Sequence, residues 1–282
     1  ADAVAAKAVD HLLPAARLTE IAARVHQQAT AAGEPFSLHG SDELERELRA
    51  SVESFPQVSM AYVGDAAGNA VLVRRMPDGT YGTKRVRAYV PLQGEGESPA
   101  EGPAAAGVTW TYTDELGRVV KSETVDETYD PRTRPWFQGA TSTAGTYWSD
   151  LYVFHSDRQP GLTAARRVTG VDGSLVAVFG TDVGLRDLSS FLAGLRVGSS
   201  GRAFIVDGDG RLVAYPDFDE VVHVDGDTVR ARSAHELSDG WVAASVPAMR
   251  SAGAGPVEFE HEGRKVLAEF REFPPEFGKK WS

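Results

Sequence analysis

The sequence predicts an α+β fold, a long N-terminal helix followed by antiparallel sheet with flanking helices. Three observations predict it. Apolar residues recur at helical spacing through the N-terminal stretch. From Val58 onward, short alternating runs are punctuated by Gly, Asn and Asp turns, and a second helical run at Gly184–Leu195 separates two sets of strands. A chain of 282 residues suffices for two modules of ordinary size or for one large domain.

Val4, Ala8, Leu12 and Ala16 open the N-terminal stripe, and after Pro14 perturbs the turn Ile21 and Val25 continue it. Ala32-Gly33-Glu34-Pro35 stops this helix, which reads either as a signalling stalk and dimer face or as an ordinary amphipathic helix packed on its own domain. Ser41-Asp42 caps a second helix whose apolar face is Leu44, Leu48, Val52 and Phe55. Val58 to Val63 and Ala70 to Met76 form a hairpin, and Thr80 to Val90 follows the Pro77-Asp78-Gly79 turn. Gln93 to Gly107, rich in Gly, Pro, Ala and Glu, reads as a mobile surface loop. Trp110–Thr113 and Val119–Thr124 flank a turn at Asp114–Gly117 and extend the sheet.

Beyond Asp182, Leu185, Leu188, Leu192 and Leu195 share one helical face, and this helix connects the two sets of strands. A hairpin over Ala203–Tyr215 turns at Asp207-Gly208-Asp209-Gly210. Val221–Val224, Trp241–Val246, Val257–Glu260 and Val266–Phe270 read as weaker strands, and Lys280-Trp281-Ser282 as part of a last one.

Composition narrows the function classes. The net charge of −11 disfavours non-specific nucleic-acid binding. With no cysteine there is neither a disulfide framework nor a thiolate metal site, and the scattered histidines lack ligand spacing, so no metal or cofactor is expected. Asp207-Gly208-Asp209-Gly210 lacks the later ligands of a calcium loop and reads as a hairpin turn. Ser149, Asp150 and His155 come without a nucleophile elbow, so catalysis is not expected. No run approaches the roughly 18 apolar residues of a membrane helix.

Chemistry concentrates between Tyr129 and Asp182. Pro131 and Pro135 hold the preceding residues extended and lead into a helix start. Arg134 therefore sits where a planar fork of donors joins free backbone N–H groups, an arrangement suited to a carboxylate, with Trp136 as a wall. Read as one strand, Tyr147–Phe154 puts Trp148, Asp150, Tyr152 and Phe154 on one face. Asp182 closes the apolar strand from Leu175, where an acid is costly to bury without a cationic partner. On the residues alone, a ligand pocket and an aromatic core with Arg134 paired to Asp130 or Asp182 are equally open.

The run YDPRTRPWF, the WSDLY strand and the FGTDVGL strand end resemble the double Cache sensor domain of bacterial transmembrane receptors. Gly201–Asp207 with Leu212–Asp217 resembles the opening hairpin of that family's second module. The resemblance implies two PAS-like antiparallel-sheet modules: residues 1–56 as N-terminal helices, 57–183 as the membrane-distal ligand-binding module, 184–197 as a connecting helix and 198–282 as the membrane-proximal module. It implies a non-enzymatic, extracytoplasmic sensor of a chemoreceptor, histidine kinase or cyclase, with membrane helices beyond Ala1 and Ser282 and a homodimer through the first helix. A free-standing secreted binding protein is the alternative.

In the amino-acid-binding members a tyrosine, an arginine and a tryptophan meet the ligand carboxylate, which falls here on Tyr129, Arg134 and Trp136. A tyrosine and two aspartates meet the amino group, which leaves Tyr152 and Asp182, because Phe154 stands where the first aspartate would be. Phe137 likewise replaces a tyrosine of the motif. Asp150, two residues before Tyr152, is the substitute acid in reach only of a displaced amine. The resemblance thus implies a small carboxylate or amino-acid-like ligand, and the loss at Phe154 favours a carboxylate without an α-amino group or a larger molecule with an apolar part.

Overall fold

The computed structural model describes residues 2–38, 42–88, 107–198, 200–226, 228–252 and 255–282. The expected Ser41 cap, most of the 93–107 loop and the end of the strand predicted to reach Val90 lie outside them. Helix α1 runs Asp2–Ala31 and continues through Pro14. It stops just before Gly33, whose φ of +88° suits a residue without a Cβ. Its buried positions are Ala8, Leu12, Ala15, Thr19 and Ala23, whereas Ile21 and Val25 are 59% and 52% exposed. The apolar stripe expected through Ala16, Ile21 and Val25 is therefore corrected. Steps of three and four stay on one face of a 3.6-residue turn, and the step of five from Ala16 to Ile21 leaves it.

The chain divides into two compact units, one of Ala15–Tyr147 and Thr163–Asp182 and the other of Ala1–Pro14, Trp148–Leu162 and Val183–Ser282. In the first, α2 (Asp42–Ser54) lies beside a meander of β1 (Met60–Asp65), β2 (Ala70–Arg75), β3 (Tyr81–Arg87), β4 (Gly107–Thr113) and β5 (Val119–Val125). The 3-10 turn Pro131–Thr133, α3 (Pro135–Thr141), β6 (Tyr147–Trp148), β8 (Pro160–Thr169) and β9 (Leu175–Gly184) follow, except that Trp148, the start of β8 to Leu162 and the end of β9 from Val183 belong to the other unit, as does β7 (Tyr152–Val153). The sheet order is β5-β4-β3-β2-β1-β9-β8, which brings the sequence-distant β9 beside β1.

Strand alternation gives this sheet two unlike faces. Ala61, Val63, Val71, Val73 and Phe179 form a core with Leu44, Leu48 and Val52 of α2 and Ala23 of α1. Each of those three α2 side chains contributes about 1.5–3 kcal/mol by burial. Polar residues of the same face also turn to the helices, Thr83 and Arg85 reaching Glu45 and Thr181 meeting Thr19 at 2.8 Å. On the opposite face, cross-strand register aligns Gly180, Tyr62, Leu72, Lys84, Trp110 and Glu123 in one row. The α3 segment covers this row, since the Tyr62 and Trp136 rings are 4.8 Å apart and a Cβ on Gly64 would stand 3.1 Å from Trp136.

The second unit holds β7, α4 (Leu185–Ala193), the hairpin of β10 (Ile205–Val206) and β11 (Leu212–Ala214), β12 (Val222–Asp225) with β13 (Thr228–Ala231), α5 (Gly240–Ala252), and β14 (Gly255–His261) with β15 (Arg264–Phe270). The strand expected over Trp241–Val246 is instead part of α5, in which Val242, Ser245 and Val246 are buried at helical spacing. Trp281 joins no strand. It packs with Trp148 and Phe277 at ring separations of 5.9 and 6.1 Å, while Ser282 exchanges both backbone bonds with Val206.

Candidate functional site

Asp130 accepts the Arg132 backbone N–H at 2.9 Å and ion-pairs with the Arg132 side chain at 2.8 Å, fixing the turn that leads into α3. The arginine nearest in sequence is thus the one joined to Asp130. Arg134 occupies the extended N-cap position of α3, with φ −85° and ψ 146°, as expected for a residue preceding proline. Its side chain makes no cap bond to that helix.

Tyr129 is the hub. Its hydroxyl meets the Trp136 indole in a hydrogen bond and lies within the fields of Arg134, Asp182 and Glu127. Burial pushes the phenol well above its ordinary range, Asp182 and Glu127 add to that shift, and Arg134 opposes it. The ammonium of Lys84 sits 4.4 Å from the centre of the Tyr129 ring and 5.8 Å from that of Trp110. Lys84 is ion-paired with Glu127 and its side chain is 1% exposed. Burial holds its pKa below the ordinary lysine value, opposed by the hydrogen bond and charge of Glu127.

Asp182 lies inside β9 rather than at its end and is 2% exposed. Its Oδ1 accepts hydrogen bonds from the Tyr62 hydroxyl at 2.6 Å and the Thr163 hydroxyl at 2.5 Å. Hydroxyl donors therefore take the place of the cationic partner expected from the sequence, at least at this oxygen. Trp136 and Phe137 are buried with ring centres 5.3 Å apart, so Phe137 completes the aromatic packing under α3.

Of the residues singled out in the sequence, Tyr129, Arg134, Trp136, Phe137 and Asp182 belong to the first unit, and Asp150, Tyr152 and Phe154 to the second. The continuous strand expected over Tyr147–Phe154 is corrected, because β6 and β7 are separated by Ser149, Asp150 and Leu151. Ser149 is fully buried and the Asp150 side chain is 90% exposed, bonded to Lys279 at 2.6 Å. The two-residue alternation thus fails between Trp148 and Tyr152. Tyr152 and Phe154 meet edge to face at 5.3 Å, and Gly161 makes room for the Phe154 ring, which a Cβ there would approach to 2.3 Å.

Sequence reasoning missed Lys84, Tyr62 and Thr163. The signal for Lys84 was its strand phase, shared with Gly82 and Val86, since a lysine on the inward side of a strand needs a counter-charge. Among the described residues, no group of three or more His, Cys, Asp or Glu could hold a metal ion. The arrangement gathers a buried lysine, hydroxyls and aromatic faces around a buried carboxylate.

No family model matches the chain. Over 113 residues it is 33% identical to the methyl-accepting chemotaxis protein PctB of Pseudomonas aeruginosa, covering 40% of this chain and 18% of that protein. Over 118 residues it is 32% identical to the methyl-accepting chemotaxis protein McpB of Bacillus subtilis, covering 42% and 17%. The chain thus spans less than a fifth of the length of the curated relatives it matches. Among solved structures, the PctB ligand-binding domain in complex with L-Arg aligns with a TM-score of 0.54 at 20% identity, over 99% of this chain and 86% of that one. The ligand-binding domain of the Pseudomonas fluorescens chemoreceptor CtaA in complex with L-alanine aligns with a TM-score of 0.57 at 19% identity, over 99% and 90%. The chain has the double Cache fold of the sensor domains of bacterial chemoreceptors.

Proposed function

We propose that this chain is the extracytoplasmic ligand-sensing part of a bacterial transmembrane signalling receptor of the chemoreceptor kind. It binds a small carboxylate-bearing metabolite without turning it over. The first unit is the ligand-binding, membrane-distal module, and the whole receptor is membrane-anchored and pairs through α1. Support comes from relatives that are methyl-accepting chemotaxis proteins and from folds solved with L-Arg, L-alanine and GABA. No helix among the described residues is long and apolar enough to cross a membrane.

The observation that carries the ligand class is the setting of the Tyr129 hydroxyl, joined to Trp136 and within the fields of Arg134 and Asp182. Arg134 supplies charge-assisted donors to the carboxylate, Trp136 and Tyr129 wall it, and Asp182, held by Tyr62 and Thr163, orients the polar remainder. The resemblance puts Phe154 at the motif position of a second acid that would favour an ammonium, so deaminated carboxylates rank above common α-amino acids. Signalling follows from differential affinity, because a ligand shifts a receptor equilibrium only by binding one state better than the other.

The test is a thermal-shift screen of carboxylates, amino acids and amines, followed by calorimetry on Arg134→Ala. The variant keeps its fold and loses binding of the carboxylate hit by about tenfold or more, the worth of a charge-assisted hydrogen bond. Unchanged affinity, or an α-amino acid binding more tightly than its deaminated analogue, refutes the assignment.

A further inference from the structure

Lys84 and Glu127 form an unequal pair. The lysine side chain is 1% exposed, while the glutamate keeps 26%. Lys84 stands on β3, hydrogen-bonded to β2 on one side and β4 on the other, so its position is fixed by the middle of the sheet. Glu127 stands in residues 126–130, which belong to no helix or strand. Beside it opens a cleft of about 700 Å³ lined by Val86, Arg87, Val108, Glu127 and Tyr129, among others. The cation is thus built in, and the anion is mounted on a connecting segment with space next to it.

A buried ammonium requires a counter-charge, but nothing requires that charge to come from the protein. Lys84 shares its sheet face with Tyr62, lies against the Tyr129 ring and is within the field of Arg134. Replacing the Glu127 carboxylate by a ligand carboxylate leaves the lysine compensated and moves a partly exposed acid toward the cleft beside it. With Glu127 withdrawn, Lys84 over the Tyr129 ring and Arg134 within the field of both groups are the two cations left beside one aromatic side chain.

Resting on the carboxylate reading above, we propose that Lys84 is a second anion anchor of the site, exchanging Glu127 for an anionic group of the ligand. The site therefore prefers small dicarboxylates to monocarboxylates of the same length.

The test compares succinate with butyrate, which have the same number of carbons and differ by one carboxylate, on the intact chain by calorimetry and ligand-observed NMR. Succinate binds about tenfold tighter or more, as a charge-assisted contact implies. Glu127→Gln removes the competing acid and raises succinate affinity several-fold with little change for butyrate. Lys84→Met brings succinate down to the butyrate level. The glutamine variant decides the matter even if burial at position 84 makes the methionine variant fold poorly. Equal binding of the two acids, or weaker succinate binding in Glu127→Gln, overturns this inference while the carboxylate site stands. Failure of both acids to bind overturns the carboxylate reading, and this inference with it.

Discussion

Tyr62→Phe removes one oxygen and tests whether the carboxylate of Asp182 is held as the geometry implies. Tyr62 is 4% exposed, Asp182 is 2% exposed, and the deleted hydroxyl donates at 2.6 Å. A hydrogen bond to a charged group contributes roughly 1.5–3 kcal/mol, and water has little access to replace it here. The ring itself stays, so packing on Trp136 at 4.8 Å is retained and the loss reports the hydroxyl. For a unit of this size the cost is a fall in melting temperature of about 3–12 °C. Thr163→Val removes the second donor to the same Oδ1, at 2.5 Å. Two donors on one oxygen are coupled, so the double variant departs from the sum of the singles by more than about 0.5 kcal/mol. The assay is urea unfolding of the four proteins in a double-mutant cycle. A Tyr62→Phe cost below about 0.5 kcal/mol, or strict additivity with Thr163→Val, refutes this account of the buried acid.

Two further outcomes follow from the packing. His11 stacks on Phe191 at 4.0 Å, its Nε2 is buried without a hydrogen-bond partner, and burial holds its pKa below the ordinary 6.5. The unfolded chain then takes up a proton that the folded chain refuses, so the contribution is complete above pH 6.5 and is lost as pH falls toward the lowered value. Melting temperatures measured downward from neutral pH fall less steeply in His11→Phe than in the parent, and equal slopes would remove His11 from the account. Gly180→Ala places a Cβ 2.3 Å from Cε2 of Tyr62, which drives the ring off Asp182 and destabilises by about 1–3 kcal/mol. Parental stability in that variant would mean that the ring relocates freely.

Most elements were legible because period and turn chemistry agreed locally. Leu44, Leu48 and Val52 announced α2, Leu185, Leu188 and Leu192 announced α4, and the Asp-Gly turns announced the hairpins. Reading failed where the signal is too short to have a period. Trp241–Val246 is apolar enough for a strand, and only the burial of Val242, Ser245 and Val246 identifies its turn as helical. Within the site, Arg134 and Trp136 were singled out because two prolines rigidify a continuous run, and Tyr129 by the family resemblance. Tyr62 and Thr163 look like ordinary strand residues until register brings β1, β8 and β9 into one sheet, and Lys84 showed only the strand phase it shares with Gly82 and Val86. Asp182 was recognised as an acid in an apolar strand, but its partners are hydroxyls from positions 120 and 19 residues away.

The sheet of the first unit separates two kinds of inheritance. Residues 61, 63, 71 and 73 touch the helices, and residues 62, 72, 84 and 110 line the other side. A point substitution at Leu72 or Trp110 changes the side that α3 covers while the contacts of the other side with α1 and α2 keep their atoms. A one-residue deletion in β2 does the reverse, because the two-residue pleat would turn Val71 or Val73 toward Trp136 and Tyr129 and offer Leu72 to α2. Under the proposed function, single replacements at alternate positions would change the ligand face, whereas a length change within a strand would exchange the two faces.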